Sequence, residues 1–207
     1  MKDWRLIYII FAKSEDKLYI SNKNRQAYFV LLSVCIIFVR INLKNCNVMF
    51  DKETYVQRRA LLKKNIGSGV LLFLGNDEQG LNYEDNAFRY RQDSTFLYYF
   101  GLSFAGLSAI IDIDEDKEII FGDELTIDHI VWMGTQPTLK EKSERVGIRE
   151  TLPSAAIISY LHKAVQKGQT VHYLPPYRPE HKLKLMDWLG IPPARQEGSV
   201  PFIRAVV

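Results

Sequence analysis

The 207-residue chain has only two cysteines, Cys35 and Cys46, and neither sits in a Cys-x-x-Cys or Cys/His ligand spacing. Cys35 lies inside an apolar run and Cys46 in a polar one, so the pair does not read as a bridge. A reducing, cytoplasmic setting is the expectation. A charge excess is also missing: 27 Lys and Arg stand against 24 Asp and Glu, a formal net charge of +3. Basic residues alternate with acidic ones, as in Lys140–Arg149, and form no stripe, so no nucleic-acid partner is expected. Gly67-Ser68-Gly69 follows a helical pattern, precedes a strand and is not continued by Gly-Lys-Ser/Thr, the wrong order for a phosphate-binding loop. No Gly-x-Ser-x-Gly elbow is present. The four histidines, His129, His162, His172 and His181, are scattered, and no acidic residue stands at helical spacing to any of them.

A long apolar run is lacking too. Ala27–Val39 is broken by Ser33, ends at Arg40 and falls short of the ~20 residues a membrane-crossing helix needs. Three readings of residues 1–48 follow. The run could lie in a membrane interface as an anchor. It has the length of the apolar part of a signal peptide, but Arg40-Ile41-Asn42-Leu43-Lys44 offers no small-residue cleavage site and carries positive charge on the wrong flank. The third reading takes Met49 as the natural start and residues 1–48 as an upstream extension outside the fold. The expected organisation is therefore an extension over 1–48 and one domain over 49–207, with membrane association through 27–39 as the alternative.

What is present from Met49 onward alternates helix and strand. A helix over Lys52–Ile66 has Asp51 as its N-cap, with Tyr55, Leu61 or Ala60, Leu62 and Ile66 inward and Gln57, Arg58, Arg59 and Lys63 outward. Val70–Leu74 is wholly apolar and reads as a strand buried on both faces. Leu107–Ile113 and Glu118–Phe121 form a hairpin across Asp114–Lys117. Asp112, Asp114 and Asp116 alternate as in a calcium loop, but Lys117 stands where the sharp turn requires Gly, so a solvated acidic turn is expected. Helices follow at Thr138–Arg145, after a cap at Ser154, and at Glu180–Leu189, with a short strand at Thr170–Leu174 between the last two. This order predicts an α/β layered domain with a mixed sheet flanked by helices.

The densest stretch is Asn86–Gly101. Its first half, Arg89 to Asp93, is polar, and its second half, Phe96 to Phe100, is apolar and mostly aromatic. Such a sequence pins a polar loop over a core, each buried ring contributing about 1.5–3 kcal/mol. Arg91 and Asp93, two apart, are placed to pair or to bond backbone, and Asp93 or Ser94 is placed to cap a short helix through Tyr99. The order Tyr90-Arg91-Gln92-Asp93-Ser94-x-Phe96-x-Tyr98-x-x-Gly101 resembles the signature of the N-terminal domain of aminopeptidase P (Xaa-Pro aminopeptidase), in the aminopeptidase P, prolidase and creatinase group. It departs at Phe88, where that family more often has Tyr, and at Leu102, where an aromatic is common. Phe121, Trp132, Gly134 and Gly147-Ile148 repeat a looser spacing of the same family.

The resemblance covers about residues 50–207 and implies a mixed sheet flanked by helices. It implies that the motif residues Tyr90, Arg91, Gln92, Asp93, Ser94, Phe96, Tyr98 and Gly101 are structural, and that Trp132, with Arg195, lies near substrate at the rim of a cleft, the Trp reaching it across a subunit interface. It also implies a non-catalytic part of a manganese metallopeptidase acting on peptides with Pro at the second position. In that group two Asp, one His and two Glu hold a dinuclear centre in a separate pita-bread domain. No catalytic residue, metal ligand or cofactor is expected in this chain itself. Its partners are then the catalytic domain, further copies, or both, and a free-standing assembly module is the competing reading.

Overall fold

The computed structural model describes residues 49–206, except 84–85, 128–130, 132–133 and 135. The readings of residues 1–48, and those on His129 and Trp132, lie outside the described residues. Among the described residues no helix is long and apolar enough to cross a membrane.

The first helix, α1 (Lys52–Ile66), starts at Asp51, whose extended backbone turns the chain but whose side chain makes no cap bond. It stops at Gly67, where φ is 90° and the amide donates to the Lys63 carbonyl. Its inward stripe is Tyr55, Arg59 and Leu62, a helical i, i+4, i+7 series. Arg59, expected to face outward, is therefore fully buried, while Leu61 is 60% exposed. The guanidinium is tolerated because each of its sides is used. Nε donates to Glu118 at 2.8 Å, Nη1 to the Tyr99 carbonyl at 3.0 Å and Nη2 to the Val146 carbonyl at 2.9 Å.

Five strands form one sheet in the order β4-β3-β2-β1-β5. They are β1 (Val70–Leu74), β2 (Ser108–Asp112), β3 (Lys117–Phe121), β4 (Glu150–Leu152) and β5 (Val171–Tyr173). β1 pairs antiparallel with β2 and parallel with β5, while β3 pairs antiparallel with β2 and parallel with β4. Four strands thus point one way, and their carboxyl ends, at Leu74, Phe121, Leu152 and Tyr173, gather at one edge. β1 is buried along both faces as its unbroken apolar run predicts. Leu71 and Phe73 face one core with Tyr55, Phe100 and Phe202, and Val70 and Leu72 face a second with Ile157, Leu161 and Leu185.

The first core lies under α1, α2 (Ser94–Phe100), α3 (Leu139–Glu144) and α6 (Val200–Val206). The second lies under α4 (Ala156–Gln166) and α5 (Pro179–Leu189). The mixed sheet between two helical layers is the expected architecture. α3 opens with a capping box, the Glu141 amide donating to Thr138 Oγ1 and the Thr138 amide to Glu141 Oε2. Ser154 does not cap α4 as expected: Ala155 holds that position, and the Ser154 amide and hydroxyl both donate to Asp123. The acidic turn after β2 is an internal brace. Asp112 Oδ1 accepts from the Glu115 amide, and Asp114 Oδ1 from the Gly69 amide.

Replacing Arg59 with Ala leaves Glu118 and two carbonyls without their buried partner. The expected loss is on the order of 3–5 kcal/mol, read as a lower urea midpoint with unchanged slope. Glu118→Gln, whose side chain is 18% exposed, is expected to lose less.

Candidate functional site

The signature occupies the carboxyl edge of the sheet, where β1 runs into Gly75 and Asn76. Its centre is Gln92, 3% exposed. The amide oxygen accepts from the Asn76 amide at 2.8 Å and the Asp93 amide at 2.9 Å. The amide nitrogen donates to the carbonyls of Phe104 at 3.1 Å and Leu102 at 3.3 Å. One side chain thereby spends its whole hydrogen-bonding capacity on backbone from three loops. Asn76 Nδ2 returns a bond to the Arg91 carbonyl at 2.8 Å, and the Tyr90 hydroxyl sits 2.8 Å from the Phe104 carbonyl and 3.2 Å from that of Asn76. Burial, then the nearby Asp77, push the Tyr90 phenol well above its ordinary range, so it stays a donor.

Asp93 caps α2, its Oδ1 accepting from the Thr95 and Phe96 amides at 2.9 Å each. Oδ2 accepts from the Tyr177 hydroxyl at 3.2 Å. Of the two uses expected for Arg91 and Asp93, a mutual pair or a bond to backbone, Asp93 takes the second: its carboxylate is held by the helix amides and by Tyr177, and the Arg91 side chain is exposed. The short helix drives Phe96, Tyr99 and Phe100 inward, with the Phe100 and Tyr99 rings 5.0 and 5.5 Å from Phe73. Gly101 ends it at φ 63°, and a Cβ there would come within 2.4 Å of the Tyr55 ring, so this position takes no larger residue. Ser94 and Tyr98 face outward. Tyr98 is half exposed and stacks on the Arg58 guanidinium, 4.0 Å from its ring centre.

The sequence reading missed His181, 4% exposed at the start of α5. Its Nε2–H donates to the Gly75 carbonyl at 3.0 Å, and its ring meets Tyr177 edge-on. Burial, with help from Lys184, pulls its pKa down, against the Gly75 bond and the fields of Asp93 and Asp77. Its spacing from the buried Leu185 was the available signal. Asn76, also missed, was a lone amide right after a five-residue apolar strand.

Beside the signature, at the same carboxyl edge, a cavity of about 350 Å³ opens between the sheet and helices α4 and α5. Phe121, Ile158 and Trp188 form its apolar wall, and Asp77, Asp123 and Lys184 its polar groups. Crevices at the carboxyl ends of strands are where open α/β sheets place ligands. Arg195 is not among its lining residues; it stands exposed on the turn Pro193–Arg195.

The described residues do not fit a dinuclear metal centre: no group of three or more His, Cys, Asp or Glu among them could hold an ion. The carboxylates of the turn after β2 are already engaged. Asp112 accepts from Glu115, Tyr160 and Gln169, and Asp114 from Gly69 and Gln169.

Gln92→Leu keeps the bulk but strands two amides and the Leu102 carbonyl, Phe104 keeping the Tyr90 hydroxyl, and is expected to cost on the order of 3 kcal/mol in chemical denaturation. His181 gives a pH dependence of defined sign. Its folded pKa lies below the unfolded value near 6.5, so its contribution is complete above that value and is lost as pH falls toward the folded one. Urea midpoints measured from pH 7.5 down to about 5 should decline, with at most ~1.4 kcal/mol per pH unit from this group. His181→Gln should flatten that part of the curve.

The model of the aminopeptidase P N-terminal domain matches residues 55–173. A probable Xaa-Pro aminopeptidase of Chaetomium globosum is 29% identical over 112 residues, which are 52% of this chain and 18% of that protein. The human Xaa-Pro dipeptidase is 33% identical over 76 residues, 35% of this chain and 15% of the dipeptidase. Aminopeptidase PepP of Pseudomonas aeruginosa superposes with a TM-score of 0.60 at 21% identity, over 73% of this chain and 35% of its own. Aminopeptidase P of Escherichia coli, in its low-pH form, gives 0.57 at 18% identity, over 68% of this chain and 33% of its own. The match thus takes in less than a fifth of the two curated relatives and about a third of the solved chains. With the family model covering more than half of a chain whose sheet is built in this way, the protein belongs to the aminopeptidase P N-terminal domain family.

Proposed function

We propose that this chain serves as the N-terminal, non-catalytic portion of an Xaa-Pro aminopeptidase-like manganese metallopeptidase, assembling with a metal-bearing domain and with further copies and narrowing the entrance to the cleft. The observation that carries this reading is the family match over residues 55–173, laid on a signature whose polar groups are consumed in holding loops together. A site for chemistry turns a titratable or nucleophilic group toward a cleft. Here Gln92 and Tyr90 are committed to backbone, and Asp93 to backbone and to the Tyr177 hydroxyl. The names of the relatives supply the substrate class: peptides with Pro at the second position, met by the complete assembly. In this reading Trp132 and Arg195 lie toward substrate, the domain comprises residues 49–207, residues 1–48 stand outside it, and the protein works in the cytoplasm.

An exposed apolar rim supports the docking role. The loop closed by the Gly80–Ala87 bridge carries Leu81, Tyr83 and Phe88, each more than half exposed. The test is an assay of the purified chain with manganese on an Xaa-Pro peptide. No turnover is expected from this chain alone, and turnover that survives repurification and tracks the protein would overturn the reading.

A further inference from the structure

The cavity at the carboxyl edge is not used by the signature, and its chemistry is specific. Each of its carboxylates is held through both oxygens by a single neighbour. Asp77 pairs with Lys184, whose Nζ lies 2.7 Å from Oδ2, and Asp123 accepts from the amide and hydroxyl of Ser154. Both retain acceptor capacity, since an ionised carboxylate has about four lone-pair sites and uses only some of them here. Two of the three Lys184 donors, and the Ser154 amide and hydroxyl, are already spent on those carboxylates. Two Asp against one Lys leave the lining with one net negative charge. Facing them, Phe121, Ile158 and Trp188 offer an apolar surface, with Lys184 Nζ 6.0 Å from the Trp188 ring centre. An acceptor-rich, net-negative pocket with an aromatic wall selects a donor-rich cation on an apolar body.

We propose that this cavity binds a primary ammonium group carried on a short apolar chain, with the ammonium between Asp123 and Asp77 and the chain against Trp188 and Ile158. The assignment rests on the cavity alone and stands whether or not the chain docks to a catalytic domain. The same chemistry occurs in a free amine and in the unblocked N-terminus of a peptide.

The test is a titration of the full 207-residue chain, followed through the Trp188 indole N–H in proton–nitrogen correlation spectra. The probes are isopentylammonium chloride, isopentanol, and leucyl-glycine with and without an N-acetyl cap. Isopentylammonium is expected to give saturable shifts at least about ten-fold tighter than isopentanol. If leucyl-glycine binds and its acetylated form does not, the source is a peptide N-terminus. If only the simple amine binds, the source is a free amine. Asp123→Asn should weaken the ammonium by about ten-fold or more, while Lys184→Met, which removes the competing cation from Asp77, should tighten it. Because Asp123 also anchors Ser154, both variants are first checked for unchanged far-ultraviolet dichroism. Equal binding of amine and alcohol, no saturable shift with any probe, or weakening by Lys184→Met to the same extent as by Asp123→Asn would each overturn the assignment.

Discussion

A guanidinium shut away from water governs how this domain is put together. Desolvating Arg59 is unfavourable, and burial alone pulls its pKa down. The cost is offset only where Glu118, the Tyr99 carbonyl and the Val146 carbonyl all meet it at once. Those groups come from the third strand, from the end of the helix within the signature, and from the loop before the fourth strand. The first helix can therefore settle in one orientation. Sliding it along the sheet would strand a buried charge, whereas sliding an apolar stripe would cost only part of its contact area.

Gln92 applies the same logic on a neutral group. Three loops meet where the first strand ends, and none can be paired by sheet or helix. A single primary amide supplies two donors and two acceptors to them. Asp93 starts the helix, the aromatic run after it fills the core, and Gly101 lets the chain turn against Tyr55. Adjacent residues thus perform different tasks in a fixed order, which is why the segment has a recognisable signature and not merely a composition.

The architecture was legible because most elements declare themselves locally: the double-sided apolar strand at Val70–Leu74, the acidic hairpin turn, the glycine stops at Gly67 and Gly101. The helix cap at Asp93 or Ser94 was legible for the same reason, and Asp93 takes it. The errors fall where a polar side chain's fate depends on residues far away in sequence. Arg59 reads as a surface residue because its three acceptors lie 40 to 87 positions downstream. Asp93 reads as bonding either Arg91 or backbone; the helix amides take one oxygen, and the partner of the other, Tyr177, lies 84 residues on. Ser154 reads as a cap, but Asp123 claims it from another loop. The cavity was invisible for the same reason, since its walls come from five separate segments.

The parallel seam between the first and fifth strands has a kinetic consequence. Val70 faces Val171 and Leu72 faces Tyr173, so the chain must close about a hundred residues before that edge is sealed. Loop-closure entropy delays such a contact until the intervening hairpin and helices are in place. Until then one side of the most apolar strand in the protein stands open as a template for intermolecular pairing. The fifth strand, only three residues long, acts as the late-arriving shield that separates productive maturation from aggregation.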